Sequence, residues 1–292
     1  MGQAFALDEN DFIFGTHRGH GELIAKGLST VRRLDEASLK RIMEESSGGA
    51  QLNVVQKGFS GDTRALGERF FLYGVMAEIF GRKTGFAEGL GNSMHAFFIP
   101  FGIYPNNAIV GGSAPIATGA ALFKKVQKKP GVCVANAGDG STGCGPVWEA
   151  MNFASMDQMH TLWDEKGGLP VLFNFVNNGY GMGGQTCGET MGFNVLARIG
   201  AGINPDQMHA ERVDGFNVFA VIDAWIEQNA LADYERQLVE NGVMTQAEIE
   251  AMQQEIRALN FEMFYLATDA QLSPRMDLLA QRDAIERHMF SN

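Results

Sequence analysis

The sequence predicts an α/β fold built on a doubly wound, mostly parallel sheet with helices on both faces. Two uninterrupted apolar runs, residues 131–137 and residues 169–176, are typical of strands buried on both sides of a parallel sheet. A helical pattern over residues 146–159 lies between them, and a glycine-rich or polar turn follows each run. Strand, helix and strand in this order form a right-handed βαβ unit, whose ligand-binding loops gather at the carboxyl edge of the sheet.

Length and composition restrict the kind of protein this can be. The chain has 292 residues, 45% hydrophobic and 20% charged, so it can bury a large core. Its formal net charge of −11, without any basic run, argues against a nucleic-acid partner. No apolar stretch approaches the roughly 20 residues that cross a bilayer, so a cytoplasmic location without membrane attachment is expected. The three cysteines lack CxxC spacing and predict neither a disulfide framework nor a zinc site.

The remaining pattern is mostly helical. A strand is predicted over residues 11–15 and another at residues 210–214, whereas residues 83–112 lack a period and are predicted to form a long ordered loop. Two domains are expected: a ligand-binding domain over residues 1–230, and a helical C-terminal region over residues 231–292 that packs on it or on a partner. Further helices are predicted over residues 29–47, 62–82, 113–126, 193–200 and 216–228.

Glycine is unusually frequent and unevenly placed. There are 36 glycines in 292 residues, or about 12%, compared with about 7% in typical proteins. They gather between Gly81 and Gly192, a segment that includes the turns after both predicted strands. This clustering indicates where the backbone must approach a ligand closely.

The two turns after the predicted strands carry oxygen ligands. Asp139, in the turn Gly138-Asp-Gly-Ser141, offers a carboxylate, Asn178 offers an amide oxygen, and flanking glycines leave the carbonyl of Tyr180 accessible. Such hard ligands suit Mg²⁺ or Ca²⁺, and a glycine turn before a helix favours a phosphate. Each turn alone is more often an ordinary loop. The pair, at one edge of one βαβ unit, favours a cation and phosphate site.

These residues also carry a family resemblance. The run Gly138-Asp-Gly…Glu149-Ala-Met-Asn152…Leu169-Pro…Asn177-Asn-Gly-Tyr-Gly-Met182 resembles the thiamine-diphosphate signature of the α subunit of 2-oxo acid dehydrogenase decarboxylating components. That group includes the pyruvate, branched-chain and acetoin dehydrogenases. Residues 16–21, 91–95 and 109–115 match the same family. The resemblance covers most of residues 1–230 and implies that they form a thiamine-diphosphate-binding fold.

The resemblance assigns roles to individual residues. It implies that Asp139, Asn178 and the Tyr180 carbonyl bind Mg²⁺, which in turn binds the diphosphate of the cofactor. Arg18 would contact the diphosphate, because a guanidinium matches phosphate oxygens bidentately, and His17 would contribute at a position where the family usually has tyrosine. The remaining implied residues are Gly138, Gly140 and Ser141 as backbone contacts to the cofactor, Gly112 and Ala114 as backbone contacts to its aminopyrimidine, and His95 and His20 as catalytic histidines.

The implied activity is oxidative decarboxylation of a pyruvate-like 2-oxo acid with transfer of the acyl group to a lipoyl group. The implied partners are a β subunit, separate or fused, that supplies the activating glutamate, and a lipoyl-bearing acyltransferase, within a heterotetrameric component of a dehydrogenase complex. Two alternatives stay open: an acetoin dehydrogenase or transketolase-like carboligase, and a non-catalytic pseudo-subunit. The substrate is not decided, since Phe97, Phe98, Phe101, Ile103 and Tyr104 could line a pocket of several sizes.

One departure from the family falls after Asn229. The family continues there with a strand and a Gly-His-Ser loop, whereas this sequence runs directly into the late helices. Either the strand and loop are lost, or a segment is missing from the chain at this point. The second interpretation is favoured, because loss of a buried parallel strand would expose the apolar edge of its neighbour.

Overall fold

The computed structural model describes most of the chain in two compact units. It describes residues 6–16, 19–163, 168–217 and 246–275, together with Gly2, Ala220, Val221 and Ala224. The first unit comprises residues 1–33 and 98–244, and the second comprises residues 34–97 and 245–292. The predicted domain boundary at residue 230 lies outside the described residues and stays a prediction. The same holds for the segment expected to be missing after Asn229, where the family has a strand and a Gly-His-Ser loop.

A four-stranded parallel sheet, in the order β2-β1-β3-β4, forms the centre of the first unit. This confirms the α/β fold with a parallel sheet flanked by helices. Ile13 of β1 pairs with Ile103 of β2 on one side and with Val134 of β3 on the other. Val134 in turn pairs with Leu172 of β4. The strands are β1 (Phe12–Thr16), β2 (Ile103–Asn107), β3 (Cys133–Gly138) and β4 (Val171–Val176).

The second strand corrects the prediction of a continuous loop over residues 83–112. Its sequence, Ile-Tyr-Pro-Asn-Asn, has neither the alternation nor the apolar run by which a strand is recognised. Pro105 is tolerated because β2 pairs only with β1 among the described strands, and proline is confined to edge strands of a sheet. The position of β2 at the edge of the sheet therefore explains why a segment with proline and two asparagines can form a strand, and why its sequence lacks a strand pattern.

The order of the strands places a crevice at the carboxyl edge. β2, which follows β1 in the sequence, lies on one side of β1 in the sheet. The next two strands, β3 and β4, lie on the other side of β1, so the direction of winding reverses after β2. In open parallel sheets, ligands bind where the winding direction reverses, just beyond the carboxyl ends of the strands. Here that position lies between the ends of β1 and β3.

Helices of the first unit cover this sheet. The predicted helix over residues 113–126 is confirmed without change, and its Ala117 and Ala121 pack against Phe14 and Cys133, where their small side chains allow close approach. The strand expected at residues 210–214 is wrong, since these residues have no regular structure. The helices are α1 (His20–Arg33), α5 (Ser113–Val126), α6 (Gly145–Ala154), α7 (Gln158–Thr161) and α8 (Ala197–Ile203), and three helices that lie between the first two in the sequence belong to the second unit.

The second unit is helical. Asp35 and Asp62 cap two of its helices by accepting hydrogen bonds from Ser38 N at 2.9 Å and Ala65 N at 2.8 Å, as short acidic side chains do at helix starts. Within residues 231–292, which are predicted to be helical, a helix spans Gln246–Thr268 and packs against the helix Thr63–Ile79, with an ion pair between Arg69 and Glu262. The helices are α2 (Glu36–Glu45), α3 (Ala50–Val55), α4 (Thr63–Ile79) and α9 (Gln246–Thr268).

Among the described residues, no helix has both the length and the apolar character that are needed to span a membrane.

Candidate functional site

Loops follow the ends of all four parallel strands in the first unit, and the loops after β1, β3 and β4 are polar. The register pairs Thr16 with Asn107 at the ends of β1 and β2, and Gly138 with Val176 at the ends of β3 and β4. The loops that follow therefore leave the sheet from the same edge. This places the predicted turns after β3 and β4 beside each other, as the sequence pattern indicates.

Asp139 begins a tight turn directly beyond β3. The turn is a 3-10 helix over Asp139–Gly143, stabilised by hydrogen bonds from Ser141 Oγ to Gly138 O and from Thr142 Oγ1 to Asp139 O. Helix α6 begins at Gly145, one residue before the predicted start at residue 146, so the Gly138–Ser141 turn lies between a strand and a helix as predicted. Gly-Ser-Thr-Gly sequences favour such local turns, because their hydroxyls bond to nearby backbone carbonyls.

The Asp139 carboxylate links the turns after β3 and β4. The residue is 2% exposed, and its Oδ2 atom accepts hydrogen bonds from Gly179 N at 3.1 Å and from Thr186 Oγ1 at 2.5 Å. No donor among the described residues contacts the other oxygen, Oδ1. The carboxylate is thus held by one oxygen and retains acceptor capacity on the other.

The turn after β4 presents two further oxygen atoms of the kind that hard cations bind. Asn178 is exposed, and its Oδ1 accepts a hydrogen bond from Tyr180 N at 2.9 Å, while Gly179 adopts a left-handed φ of 76° that favours glycine. Two short strands, β5 (Tyr180–Gly181) and β6 (Gly184–Gln185), form a hairpin in which Tyr180 pairs with Gln185. Thr186 N donates to Gly179 O, so the neighbouring pair, Tyr180 and Gln185, is a non-hydrogen-bonded pair. The carbonyl of Tyr180 is therefore outside the hairpin ladder.

This arrangement suits a hard divalent cation that also binds phosphate. It offers one carboxylate oxygen, one amide oxygen and one backbone carbonyl, and a Cβ placed on Gly138 would meet nothing within 4 Å. Among the described residues, no group of three or more His, Cys, Asp or Glu side chains could hold a metal. Mg²⁺ commonly takes one or two protein carboxylates and completes its shell with phosphate oxygens and water. The donor set fits that mode of binding.

Gly112 and Ala114 lie beyond the end of β2. Gly112 precedes the first residue of α5, and a Cβ on it would lie 2.5 Å from Asn107 Nδ2, so a larger residue would require the Asn107 side chain to move. Ala114 is 1% exposed and packs with Val147 of α6, so its side chain is part of the core. Only their backbone atoms are placed to contact a ligand.

The structure describes two of the four predicted histidine and arginine positions, one in each unit. His17 and Arg18 lie outside the described residues. His20 is half-buried at the first position of α1, directly beyond the loop after β1. His95 belongs to the second unit, where its side chain is exposed and its N–H donates to Gly91 O at 3.0 Å.

The expected aromatic wall is part of the core instead. Phe101 and Ile103 are 0% exposed, and Phe98 is 5% exposed, because they form β2 and the turn that leads into it. Tyr104 stacks on Phe14 of β1 with ring centroids 4.8 Å apart. Phe98, Phe101, Ile103 and Tyr104 therefore stabilise the edge of the sheet, and Phe97 is half-buried.

Two residues at this edge have no counterpart in the sequence prediction. Thr186 is fully buried beside Asp139, and it is missed because no pattern shows that the β5–β6 hairpin returns to β3. Glu22 lies in the first turn of α1, where no described residue donates to its buried Oε2, and burial raises the pKa of this carboxyl from 4.5 to about 7. An acidic residue directly after the β1 loop is a signal that could have identified it.

Comparison with known proteins gives a consistent result. The family model described as "Dehydrogenase E1 component" matches residues 61–228. The chain is 38% identical over 150 residues to the mitochondrial pyruvate dehydrogenase E1 component subunit alpha type I of Ascaris suum, covering 51% of this chain and 33% of the relative. It is 43% identical over 109 residues to pyruvate dehydrogenase E1 component subunit alpha of Rickettsia typhi, covering 37% and 30% respectively.

A relative from Dictyostelium discoideum, a mitochondrial pyruvate dehydrogenase E1 component subunit alpha, is 38% identical over 152 residues, which is 51% of this chain and 35% of that protein. The chain thus spans about a third of the length of the curated relatives that it matches. Because the family model covers more than half of the sequence, this chain belongs to the dehydrogenase E1 component family.

Proposed function

We propose that this chain is the α subunit of a thiamine-diphosphate-dependent 2-oxo acid dehydrogenase, which decarboxylates a pyruvate-like acid and transfers the acyl group to a lipoyl group. The observation that carries the proposal is the Asp139 carboxylate, which is bonded through Oδ2 to Gly179 and Thr186 and keeps Oδ1 for a ligand. Family membership and the similarity to pyruvate dehydrogenase α subunits support the same activity.

Mg²⁺ would be held by Asp139, Asn178 and the carbonyl of Tyr180. One cation on these oxygens would balance the buried carboxylate and bind the diphosphate, whose charge repels an uncompensated acidic group. Arg18 and His17 would contribute to the same diphosphate. The remaining contacts would come from backbone atoms of Gly138, Gly140 and Ser141 for the diphosphate, and of Gly112 and Ala114 for the aminopyrimidine.

Thiamine diphosphate, when bound, supplies the nucleophilic carbon and the electron sink that a 2-oxo acid needs in order to lose CO₂. The residues of this chain would orient the cofactor and hold protons. We assign catalytic roles to His20 and His95, since imidazole exchanges protons near neutral pH. His20 is at the first position of α1, beyond the loop after β1, and the side chain of His95 is exposed, which supports these roles.

The reaction also needs groups from other chains. We propose that a β subunit, separate or fused, supplies the glutamate that activates the aminopyrimidine, and that a lipoyl-bearing acyltransferase accepts the acyl group. The relatives are named as α subunits of a pyruvate dehydrogenase E1 component, which supports an enzyme whose active site is shared between different subunits. The chain alone should therefore bind the cofactor weakly or not at all and should show no turnover.

Reconstitution tests this proposal directly. The chain and a β subunit would be combined with Mg²⁺ and thiamine diphosphate, and CO₂ release from pyruvate, branched 2-oxo acids and acetoin would be measured with and without a lipoyl acceptor. Turnover that needs both subunits and acylates the lipoyl group is expected. Carboligated products without acyl transfer would indicate a transketolase-like enzyme. Absence of cofactor binding in the complete mixture would indicate a pseudo-subunit and reject the proposal.

A further inference from the structure

Glu78 is a fully buried carboxylate that binds the backbone of the loop around residues 87–92. It lies near the end of α4, and all four hydrogen bonds it accepts come from main-chain N–H groups. Oε2 accepts from Ala87 N at 2.8 Å and Gly89 N at 3.0 Å, and Oε1 accepts from Gly91 N at 2.7 Å and Asn92 N at 3.0 Å. Both oxygens of the side chain are therefore used by the loop.

Only a carboxylate satisfies these four donors. An ionised carboxylate is an acceptor on both oxygens, whereas the amide of glutamine would direct an NH₂ group at two of the N–H groups. A charge buried at this depth persists only when hydrogen bonds compensate for the lost water. The four N–H groups provide that compensation, and loss of the carboxylate would take this acceptor away from all four of them at once.

The loop is shaped closely around this side chain. A Cβ on Gly85 would lie 2.8 Å from Glu78 N, and a Cβ on Gly91 would lie 2.9 Å from Glu78 Oε1, so neither position accepts a larger residue. Gly89 has a left-handed φ of 78°. Gln51, also fully buried, fixes the start of the loop by donating to Thr84 O at 3.0 Å and Gly85 O at 3.1 Å. The loop is thus ordered although it has no regular secondary structure.

His95 is connected to this carboxylate through one residue. Gly91 donates its N–H to Glu78 Oε1 and accepts the N–H of His95 on its carbonyl at 3.0 Å. The side chain of His95 is exposed at the end of the loop, while the backbone that carries it is held from the buried side. An exposed ring on an immobilised backbone is the arrangement required for a group that must meet a ligand in one orientation.

We propose that Glu78 is a positioning residue that fixes His95 by holding the backbone of residues 87–92. This inference rests on the catalytic role proposed for His95. Glu78 does not contact the reacting atoms, so its removal changes the geometry of His95 and leaves the Mg²⁺ ligands of the first unit intact. Its loss should therefore lower kcat and leave cofactor binding unchanged.

A double-mutant cycle in the complex with the β subunit, Mg²⁺ and thiamine diphosphate tests this. The variants are Glu78→Gln, His95→Ala and both together, with Glu36→Gln on the exposed first turn of α2 as the matched control. We expect Glu78→Gln to lower kcat about 10- to 100-fold, and the double variant to match His95→Ala alone, because coupled residues are not additive. Hydrogen exchange on the chain alone should become at least about 10-fold faster at residues 87, 89, 91 and 92.

The outcomes separate the two proposals. Wild-type kcat in His95→Ala would reject the role of His95. A slow His95→Ala with additive losses in the double variant, or unchanged exchange at residues 87–92 in Glu78→Gln, would reject the positioning role of Glu78. If Glu78→Gln does not fold, Glu78→Asp replaces it, since the charge is kept and only reach is lost. Additivity of Glu78→Asp with His95→Ala would equally overturn the inference.

Discussion

The hydroxyl of Thr186 donates to Oδ2 of Asp139 at 2.5 Å, and both residues are buried. Thr186 lies beyond the β5–β6 hairpin, so this bond joins the end of β3 to a segment that follows β4. The same oxygen also accepts the N–H of Gly179. Two donors on one oxygen fix the plane of the carboxylate, and under the proposed function the second oxygen would bind the cation, as residues behind a metal ligand orient it.

The first prediction concerns this donor. Thr186→Val keeps the shape of the side chain and removes the hydroxyl, so one hydrogen bond to a charged group is lost, worth roughly 1.5–3 kcal/mol. We expect Mg²⁺-dependent binding of thiamine diphosphate to weaken by about 10-fold or more, measured by calorimetry on the assembled protein. Thr161→Val, which changes an exposed threonine on α7, is the control. Equal affinities in both variants would show that Thr186 does not orient the carboxylate.

The second prediction concerns the carboxylate itself. Asp139→Ala removes a charge that would attract the cation by about 4 kcal/mol at 4 Å and an effective dielectric of 20, equivalent to roughly three decades of affinity. We expect Mg²⁺-dependent cofactor binding to be lost in calorimetric titrations. The exposed Asp157, just before α7, provides a matched Asp157→Ala control. Unchanged binding by Asp139→Ala would refute the assignment of this residue as a metal ligand.

The sequence alone predicts β3, β4 and the turns beyond them, because buried parallel strands are continuous apolar runs and βαβ handedness fixes their common edge. It does not predict β2, because an edge strand tolerates Pro105 and asparagines that a central strand would exclude. Thr186 is beyond its reach for another reason. Its role arises from a hairpin whose return to Asp139 depends on three-dimensional packing, and no local pattern records such a return.

The third prediction uses two helical glycines with opposite surroundings. A Cβ on Gly74 of α4 would lie 2.3 Å from the ring of Phe86, whereas a Cβ on Gly119 of α5 would meet nothing within 4 Å. Gly74→Ala should therefore destabilise the protein by about 1–3 kcal/mol through overpacking. Gly119→Ala should stabilise it by up to about 1 kcal/mol, because alanine is the better helix former. Denaturant titrations would measure both, and the same sign for the two variants would contradict this account.

The final prediction follows from the buried carboxyl of Glu22. Burial raises its pKa from 4.5 to about 7, so between these values the folded protein keeps a proton that the unfolded chain releases. The favourable contribution is complete below pH 4.5 and is lost as pH rises through 7. Glu22→Gln lacks this titration, so we expect its stability relative to wild type to increase across that window, by on the order of 3 kcal/mol in total. Unfolding free energies measured from pH 4 to 8 would show this divergence, while Glu149→Gln, at an exposed site on α6, should run parallel to wild type. Parallel curves for Glu22→Gln would mean that Glu22 ionises in the folded protein as it does in the unfolded chain.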